Sequence, residues 1–212
     1  MFSDRKAAGV ALAQALLHLA GQDAIVLGLP RGGVPVAAEV ARVLGAPLDV
    51  WVVRKIGAPL QPELGVGAVA EGPAVIVDTD LMELLGIDRD EVLALARQEQ
   101  AEVERRVVRF RGGRPAPQLE GRVVILVDDG IATGGTMRAA IRAIRKQRPR
   151  RLVLAVPVAA PDVLDSLRPE VDEVVCLHQV RDLRAVGLWY EDFRQVPDEV
   201  VVRMLDASHA AS

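Results

Sequence analysis

Short apolar runs alternate with amphipathic stretches along most of the chain. The runs have the length of strands, and the stretches between them carry apolar residues at helical spacing. The strands predicted in this way are 23–29, 48–53, 122–127, 152–157 and 172–177. The helices predicted around them are 4–20, 34–44, 136–146 and 161–167. Continuously apolar strands joined by helices are typical of a parallel sheet covered on both faces, so the pattern predicts an α/β fold with a central, largely parallel sheet flanked by helices.

The middle of the chain departs from this alternation. Glycine and proline are frequent at 57–73, a short strand is predicted at 74–78, and a long charged helix is predicted at 88–110. We interpret this part as a helical insertion that covers the sheet of a single domain. The predicted divisions are the domain at 1–212, its core at about 21–57 and 121–178, and the insertion at about 58–120.

The end of the long helix is rich in cations. Five arginines and no acidic residue lie in this stretch, namely Arg105, Arg106, Arg109, Arg111 and Arg114. We interpret the stretch as a cationic and mobile segment. It is either a loop that closes over a ligand or a solvated helix end, where basic side chains suit the helix dipole.

Composition limits the classes of protein to consider. The chain has 212 residues, 50% hydrophobic and 26% charged, so it can bury a core without disulfides or a structural metal. The single cysteine, Cys176, and three scattered histidines leave no disulfide framework and no zinc-ligand spacing, so we expect a cytoplasmic protein. No apolar stretch approaches the roughly 18 residues of a membrane span, and we expect no secretion signal. A net charge of −3 disfavours a nucleic-acid-binding surface.

The chemistry is concentrated after the strand at 122–127. This strand ends in Asp128 and Asp129, and a loop, Thr133 to Thr136, leads into the next helix. Ligands of open parallel sheets bind beyond such strand ends, and the free N–H groups of a helix N-terminus suit a phosphate monoester. Two carboxylates can each accept a hydrogen bond from a ribose hydroxyl. The motif therefore predicts a site for a phosphorylated sugar, the alternative being an acidic strand end with an ordinary turn.

The motif is part of a wider resemblance. The stretch VVILVDDGIATGGT, 123–136, resembles the signature with which type I phosphoribosyltransferases bind 5-phosphoribosyl 1-diphosphate (PRPP). Leu29-Pro-Arg-Gly-Gly33 lies where this family has its pyrophosphate-binding loop. Val53-Arg-Lys55 is similar to the Arg-Lys that ends the next strand in orotate phosphoribosyltransferases. These matches cover about 25–57 and 121–160.

The residue types of the two smaller motifs suit a diphosphate. Arg31 offers a guanidinium, Gly32 and Gly33 offer unobstructed backbone amides, and Arg54 and Lys55 add positive charge at a neighbouring strand end. Alternatively, the glycines only form a tight turn into the following helix, and the basic residues are only solvated.

The resemblance implies transfer of the 5-phosphoribosyl group from PRPP to a small nitrogenous acceptor, with release of pyrophosphate. It implies Mg²⁺ held mainly by PRPP oxygens, no direct protein ligand, and the homodimer common in the family. The implied catalytic residues are Arg31, Lys55, Asp128 and Asp129. The implied substrate-binding residues are Arg31, Gly32, Gly33, Arg54, Lys55, Asp128, Asp129, Ala132, Thr133, Gly134, Gly135, Thr136, Trp189 and Tyr190. The alternative function is a non-catalytic PRPP or nucleotide sensor with the same pocket. A receiver-like Mg²⁺ site is disfavoured by the Thr-Gly-Gly-Thr loop.

The acceptor is left open by the sequence. Ala132 occupies the position where 6-oxopurine phosphoribosyltransferases generally have an aspartate, which disfavours a hypoxanthine or guanine enzyme. The family places a variable hood over the base, and we assign it to about 179–197. Trp189, Tyr190 and Phe193 lie there and make up half of the chain's aromatic residues. They are expected either to stack on a heterocycle or to form a small satellite core.

Overall fold

The computed structural model describes residues 1–59, 61–72 and 74–210. Its strands are β1 (Ala24–Gly28), β2 (Leu48–Val50), β3 (Val53–Ala58), β4 (Gln61–Ala70), β5 (Ala74–Val77), β6 (Val123–Val127), β7 (Arg151–Ala159) and β8 (Glu173–Gln179). Its α-helices are α1 (Arg5–Ala15), α2 (Gly33–Leu44), α3 (Thr79–Leu85), α4 (Arg89–Arg111), α5 (Gly135–Lys146), α6 (Pro161–Leu167) and α7 (Asp198–Ala210). None of the helices in these ranges is both long and apolar enough to cross a membrane.

The main sheet has five parallel strands in the order β2-β1-β6-β7-β8. Alternate side chains of its central strands enter two separate hydrophobic clusters. One cluster includes residues of α1, α2 and α7, and the other includes residues of α5 and α6. Because both faces are covered, the central strands β1 and β6 are buried at every position. The predicted central parallel sheet flanked by helices is confirmed.

The middle of the chain contains a second sheet as well as helices. Strands β3, β4 and β5 form an antiparallel sheet, against which α4 packs. The predicted strand at 74–78 and helix at 88–110 are present as β5 and α4, whereas β4 was not predicted. Its glycines suggested a loop, but they permit close packing: a Cβ on Gly67 would lie 2.5 Å from the Ile76 carbonyl oxygen. The run 48–53 also divides, because β2 and β3 belong to different sheets.

The arginines near the end of α4 form ion pairs. Arg105 and Arg106 contact Glu102, Arg109 contacts Asp198 and Glu199, and Arg114 contacts Asp206. Arg111 is buried and donates to Asp49, to Glu71 and to the Val50 carbonyl. The positive charge of 105–114 is therefore paired with carboxylates in this structure, while closure of the segment over a ligand stays a prediction. Most of the carboxylates that pair with these arginines come from other parts of the chain. Counting the charged residues within 105–114 therefore does not reveal them.

Candidate functional site

Two glycine-rich loops and the carboxylate pair meet at the carboxyl-terminal edge of the main sheet. The Leu29 N–H donates to the Val127 carbonyl over 2.9 Å, and the Pro30–Arg31 peptide is cis. A Cβ on Gly32 would lie 2.1 Å from Asp129 Oδ2, and one on Gly33 would lie 2.7 Å from the Val127 carbonyl oxygen. The loop before α2 thus packs directly on the end of β6, and glycine is the residue that fits there.

The loop after the carboxylates ends in an open helix N-terminus. Gly134 caps α5 with φ of +77° and provides no side-chain hydrogen bond to the helix. Ala132 is half-buried and Thr133 is exposed, while Gly135 and Thr136 lie at the start of α5. The first N–H groups of α5 are therefore not capped by a side chain of the Ncap residue. An N-terminus of this kind suits a phosphate group, because it combines amide donors with the positive end of the helix dipole.

Lys55 lies close to the loop at the N-terminus of α5, whereas Arg54 is directed at α4. A cavity of about 350 Å³ between α5 and the antiparallel sheet is lined by Lys55, Thr133 and Gly135, together with the basic side chains of Arg138 and Arg142. Arg54 forms an ion pair with Glu99 of α4. The structure therefore brings Lys55 to the loop and gives Arg54 a partner within the insertion.

Arg31 forms an ion pair with the first residue of α7. Its Nη1 lies 3.5 Å from Asp198 Oδ1, and Arg109 Nε lies 2.9 Å from Asp198 Oδ2. These side chains line a cavity of about 290 Å³ next to Gln195. A carboxylate thus lies between two guanidinium groups, an arrangement in which a phosphate could compete with Asp198 for the same donors.

The carboxyl groups of Asp128 and Asp129, at the end of β6, are close to each other and poorly solvated. Burial, and secondarily the charge of Asp129, raise the pKa of Asp128 well above its ordinary value. Burial also raises the pKa of Asp129, while Arg5 acts in the opposite direction. Donors that bind the ionised carboxylates would relieve this unfavourable electrostatic energy. The vicinal hydroxyls of a ribose are donors of that kind.

The predicted hood lies beside Asp129 and is joined to the start of the chain. The Phe2 N–H donates to the Trp189 carbonyl over 2.8 Å, and the Glu191 N–H donates to the Phe2 carbonyl over 2.9 Å. The Tyr190 hydroxyl donates to the Asp129 carbonyl over 2.6 Å. The hood also contacts the signature loop, because a Cβ on Gly130 would lie 2.6 Å from Val186 Cγ1.

The aromatic rings of the hood pack on one another. Ring centroids are 5.4 Å apart for His178 and Trp189, 5.1 Å for Tyr190 and Phe193, and 5.6 Å for Phe2 and Tyr190. This packing matches the satellite core that was one of the two expectations for these residues. The assignment of Trp189 and Tyr190 to substrate binding stays a prediction.

A sequence profile of the phosphoribosyl transferase domain matches residues 5–182. The match includes both glycine-rich loops and the carboxylate pair. The chain belongs to this family.

Relatives of this phosphoribosyl transferase domain agree with the assignment. A protein of Mycobacterium tuberculosis H37Rv, provisionally named a phosphoribosyl transferase, is 46% identical over 209 residues, covering 99% of this chain and 47% of that protein. The chain thus spans about half the length of the curated relatives it matches. TT1426 from Thermus thermophilus has a crystal structure that is 44% identical and superposes with a TM-score of 0.86, covering 97% of both chains. A purine phosphoribosyltransferase from Pyrococcus horikoshii Ot3, 18% identical with a TM-score of 0.50 over 90% of both chains, shares the fold.

Sequence reasoning missed the residues of this phosphoribosyl transferase domain that come from the start of the chain. Arg5 Nε donates to Asp129 Oδ2 over 2.7 Å, and Phe2 packs in the hood. Neither residue stands in a motif, and a lone arginine at the start of a helix carries no signal of its own. Only the tertiary structure brings them to the site.

Proposed function

We propose that this domain binds PRPP and transfers its 5-phosphoribosyl group to a nitrogenous base, releasing pyrophosphate. The observation that carries the proposal is the meeting of three features at one sheet edge. These are the Asp128–Asp129 pair, the glycine-rich loop before α2 and the α5 N-terminus without a side-chain cap. Together they match the ribose, the diphosphate and the 5′-phosphate of PRPP. Family membership supports the same activity.

Each group has a distinct part in the proposed reaction. The carbon–oxygen bond to pyrophosphate breaks, the ribosyl carbon gains oxocarbenium character, and the acceptor nitrogen then forms the new bond. Asp128 and Asp129 hold the ribose hydroxyls, and the α5 N-terminus holds the 5′-phosphate. Arg31, after exchanging Asp198 for the ligand, and Lys55 stabilise the negative charge that develops on the leaving group. No covalent nucleophile is assigned.

The proposal includes Mg²⁺ as the partner of PRPP. The part of the chain that the structure describes contains no group of three or more His, Cys, Asp and Glu side chains arranged to hold a metal ion. Family membership is what supports Mg²⁺ held mainly by the oxygens of PRPP. When bound, the ion would neutralise charge on the leaving group.

The acceptor class is proposed only as a nitrogenous base. The hood next to Asp129 is the surface that would cover it, and Ala132 lacks a carboxylate for a purine nitrogen. The competing hypothesis is a sensor that binds PRPP or a nucleotide without turnover.

Pyrophosphate release tests the proposal. The protein is incubated with PRPP, Mg²⁺ and a panel of purine and pyrimidine bases, and pyrophosphate and nucleotide products are measured. We expect release that depends on one acceptor and yields the matching nucleotide. PRPP binding without release for any base would support the sensor, and absence of PRPP binding would overturn both the transferase and a sensor of PRPP.

Replacing Arg31 by alanine tests its assignment to the diphosphate. We expect Arg31→Ala to weaken pyrophosphate and PRPP binding about 10- to 100-fold, because charge-assisted hydrogen bonds are lost, and to leave ribose 5-phosphate binding nearly unchanged. Calorimetric titration of the three ligands measures this. The control is Arg42→Ala in the helix that follows the loop, whose guanidinium pairs with Glu39 on the surface. Equal weakening of all three ligands would remove Arg31 from this assignment.

A further inference from the structure

Arg5 contacts the carboxylate that the proposed function assigns to the ribose. It is the first residue of α1, which is fixed by Asp4 as Ncap through a 2.7 Å hydrogen bond from the Ala7 N–H. From there its side chain reaches the end of β6 and is only 11% exposed. An arginine buried to this degree requires partners for its charge and its donors.

The guanidinium is held in three directions. Nε donates to Asp129 Oδ2 over 2.7 Å, and Nη1 donates to the Arg194 carbonyl over 2.9 Å. The Cζ atom lies 3.8 Å from the centroid of the Phe193 ring, which is within cation–π range. A planar group held at two edges and one face has a defined orientation, which directs its Nε–H at Asp129 Oδ2.

Arg5 is the basic side chain that lowers the energy of this carboxylate in its ionised form. Asp128 is the acidic neighbour, and the Tyr190 hydroxyl is committed to the Asp129 carbonyl. Arg194 and Asp192 pair with each other at the surface of the hood. Because a carboxylate has about four lone-pair sites, Asp129 keeps acceptor capacity for a ligand beyond the hydrogen bond from Arg5.

We propose that Arg5 is a positioning residue of the PRPP site, which keeps Asp129 ionised and oriented to accept a hydrogen bond from a ribose hydroxyl. The inference rests on the proposed function, because it assigns Asp129 to the ribose. It adds a group from the start of the chain to a site otherwise built from strand ends. It also explains why the hood and the signature loop form one unit, since Arg5 contacts both.

Two substitutions of similar length separate charge from packing. Arg5→Lys keeps a cation beside Asp129, whereas Arg5→Gln removes it. The control is Arg194→Ala, which removes an exposed guanidinium from the same hood but leaves the backbone carbonyl that Arg5 contacts. PRPP dissociation constants are measured between about pH 5.5 and pH 8.5, so that a dependence of binding on the protonation of Asp129 would be detected. The Asp129 carboxyl is followed by ¹³C NMR in the ligand-free proteins.

We expect Arg5→Gln to weaken PRPP binding about 10- to 100-fold at about pH 6 and less at about pH 8.5, because Asp129 without its cation takes up a proton more readily. The NMR midpoint of Asp129 should rise in the same variant. Arg5→Lys should keep a pH profile close to that of the wild type, and Arg194→Ala should match the wild type.

Different failures have different meanings. If the wild type does not bind PRPP, the proposed function fails, and the NMR titration then decides the inference alone. An Asp129 midpoint in Arg5→Gln equal to that of the wild type overturns the inference. Equal weakening by Arg5→Gln and Arg5→Lys at all pH values also overturns it, because the residue would then act through packing only.

Discussion

Arg111→Ala will lower the free energy of unfolding by about 3–5 kcal/mol, the range found when one partner of a buried ion pair is removed. Arg111 is 2% exposed and donates to Asp49 and Glu71. Its removal leaves two carboxylates buried without their cation. Chemical denaturation followed by circular dichroism measures the loss.

The loss should depend on pH. Burial already raises the pKa of Glu71, and Arg111 opposes that effect. Without Arg111 the folded-state pKa rises further above the unfolded value, so stability is retained at low pH and lost as the pH rises through the folded pKa. The deficit of the variant is therefore expected to be smaller at about pH 5 than at about pH 8.

The matched control for this variant is Arg105→Ala. It lies in the same helix and also pairs with a carboxylate, Glu102, but on the surface. Exposed ion pairs contribute little to stability, so we expect almost no change. A loss for Arg111→Ala no larger than that for Arg105→Ala would show that the buried cluster is not what stabilises the contact between α4 and the main sheet.

Replacing Asp128 and Asp129 together by asparagine will reduce PRPP affinity by at least about 100-fold. Each carboxylate is assigned one ribose hydroxyl, and hydrogen bonds to charged groups contribute about 1.5–3 kcal/mol each. The fold should persist, because asparagine has nearly the same shape as aspartate and its side-chain oxygen at position 129 can still accept the hydrogen bond from Arg5. Calorimetric titration with PRPP and a thermal melt of the same sample test both statements.

Controls distinguish the loss of a site from a general effect of charge. Asp165→Asn removes an exposed carboxylate that pairs with Arg168 and should leave PRPP binding unchanged. The single variant Asp128→Asn should melt no lower than the wild type, because burial raises the pKa of Asp128 and disfavours its ionised form. Undiminished PRPP affinity in the double variant would contradict the assignment of this edge to the ribose.

The main sheet was predictable because burial on both faces leaves a direct pattern in the sequence. Strands β1 and β6 are apolar at nearly every position, and Gly45 ends α2 with a φ of +63°. The second sheet was less predictable. The glycines at 65 and 67 are typical of a loop, yet both residues lie in β4. Glycine is used there because the Lys55 side chain and the Ile76 carbonyl oxygen leave no room for a Cβ.

The site divides in the same way. The carboxylate pair and both glycine-rich loops are contiguous motifs, so local sequence indicates them. Arg5 is 124 residues from Asp129, and Arg111 is 62 residues from Asp49. Such pairs depend on how the elements pack, and neither arginine stands in a pattern that marks its partner. Single-sequence reasoning therefore located the loops but not the cations that pair with buried carboxylates.

The packing of the Phe2 ring on the rings of His178 and Tyr190 predicts that two distant stretches of the gene evolve together. Replacing the aromatic ring at Phe2 or at Tyr190 alters the packing of the other ring. Substitutions in one stretch are therefore constrained by the residues of the other stretch. Among homologues, residues 2–5 and 186–194 should covary, while the glycines of the two loops at the site stay fixed.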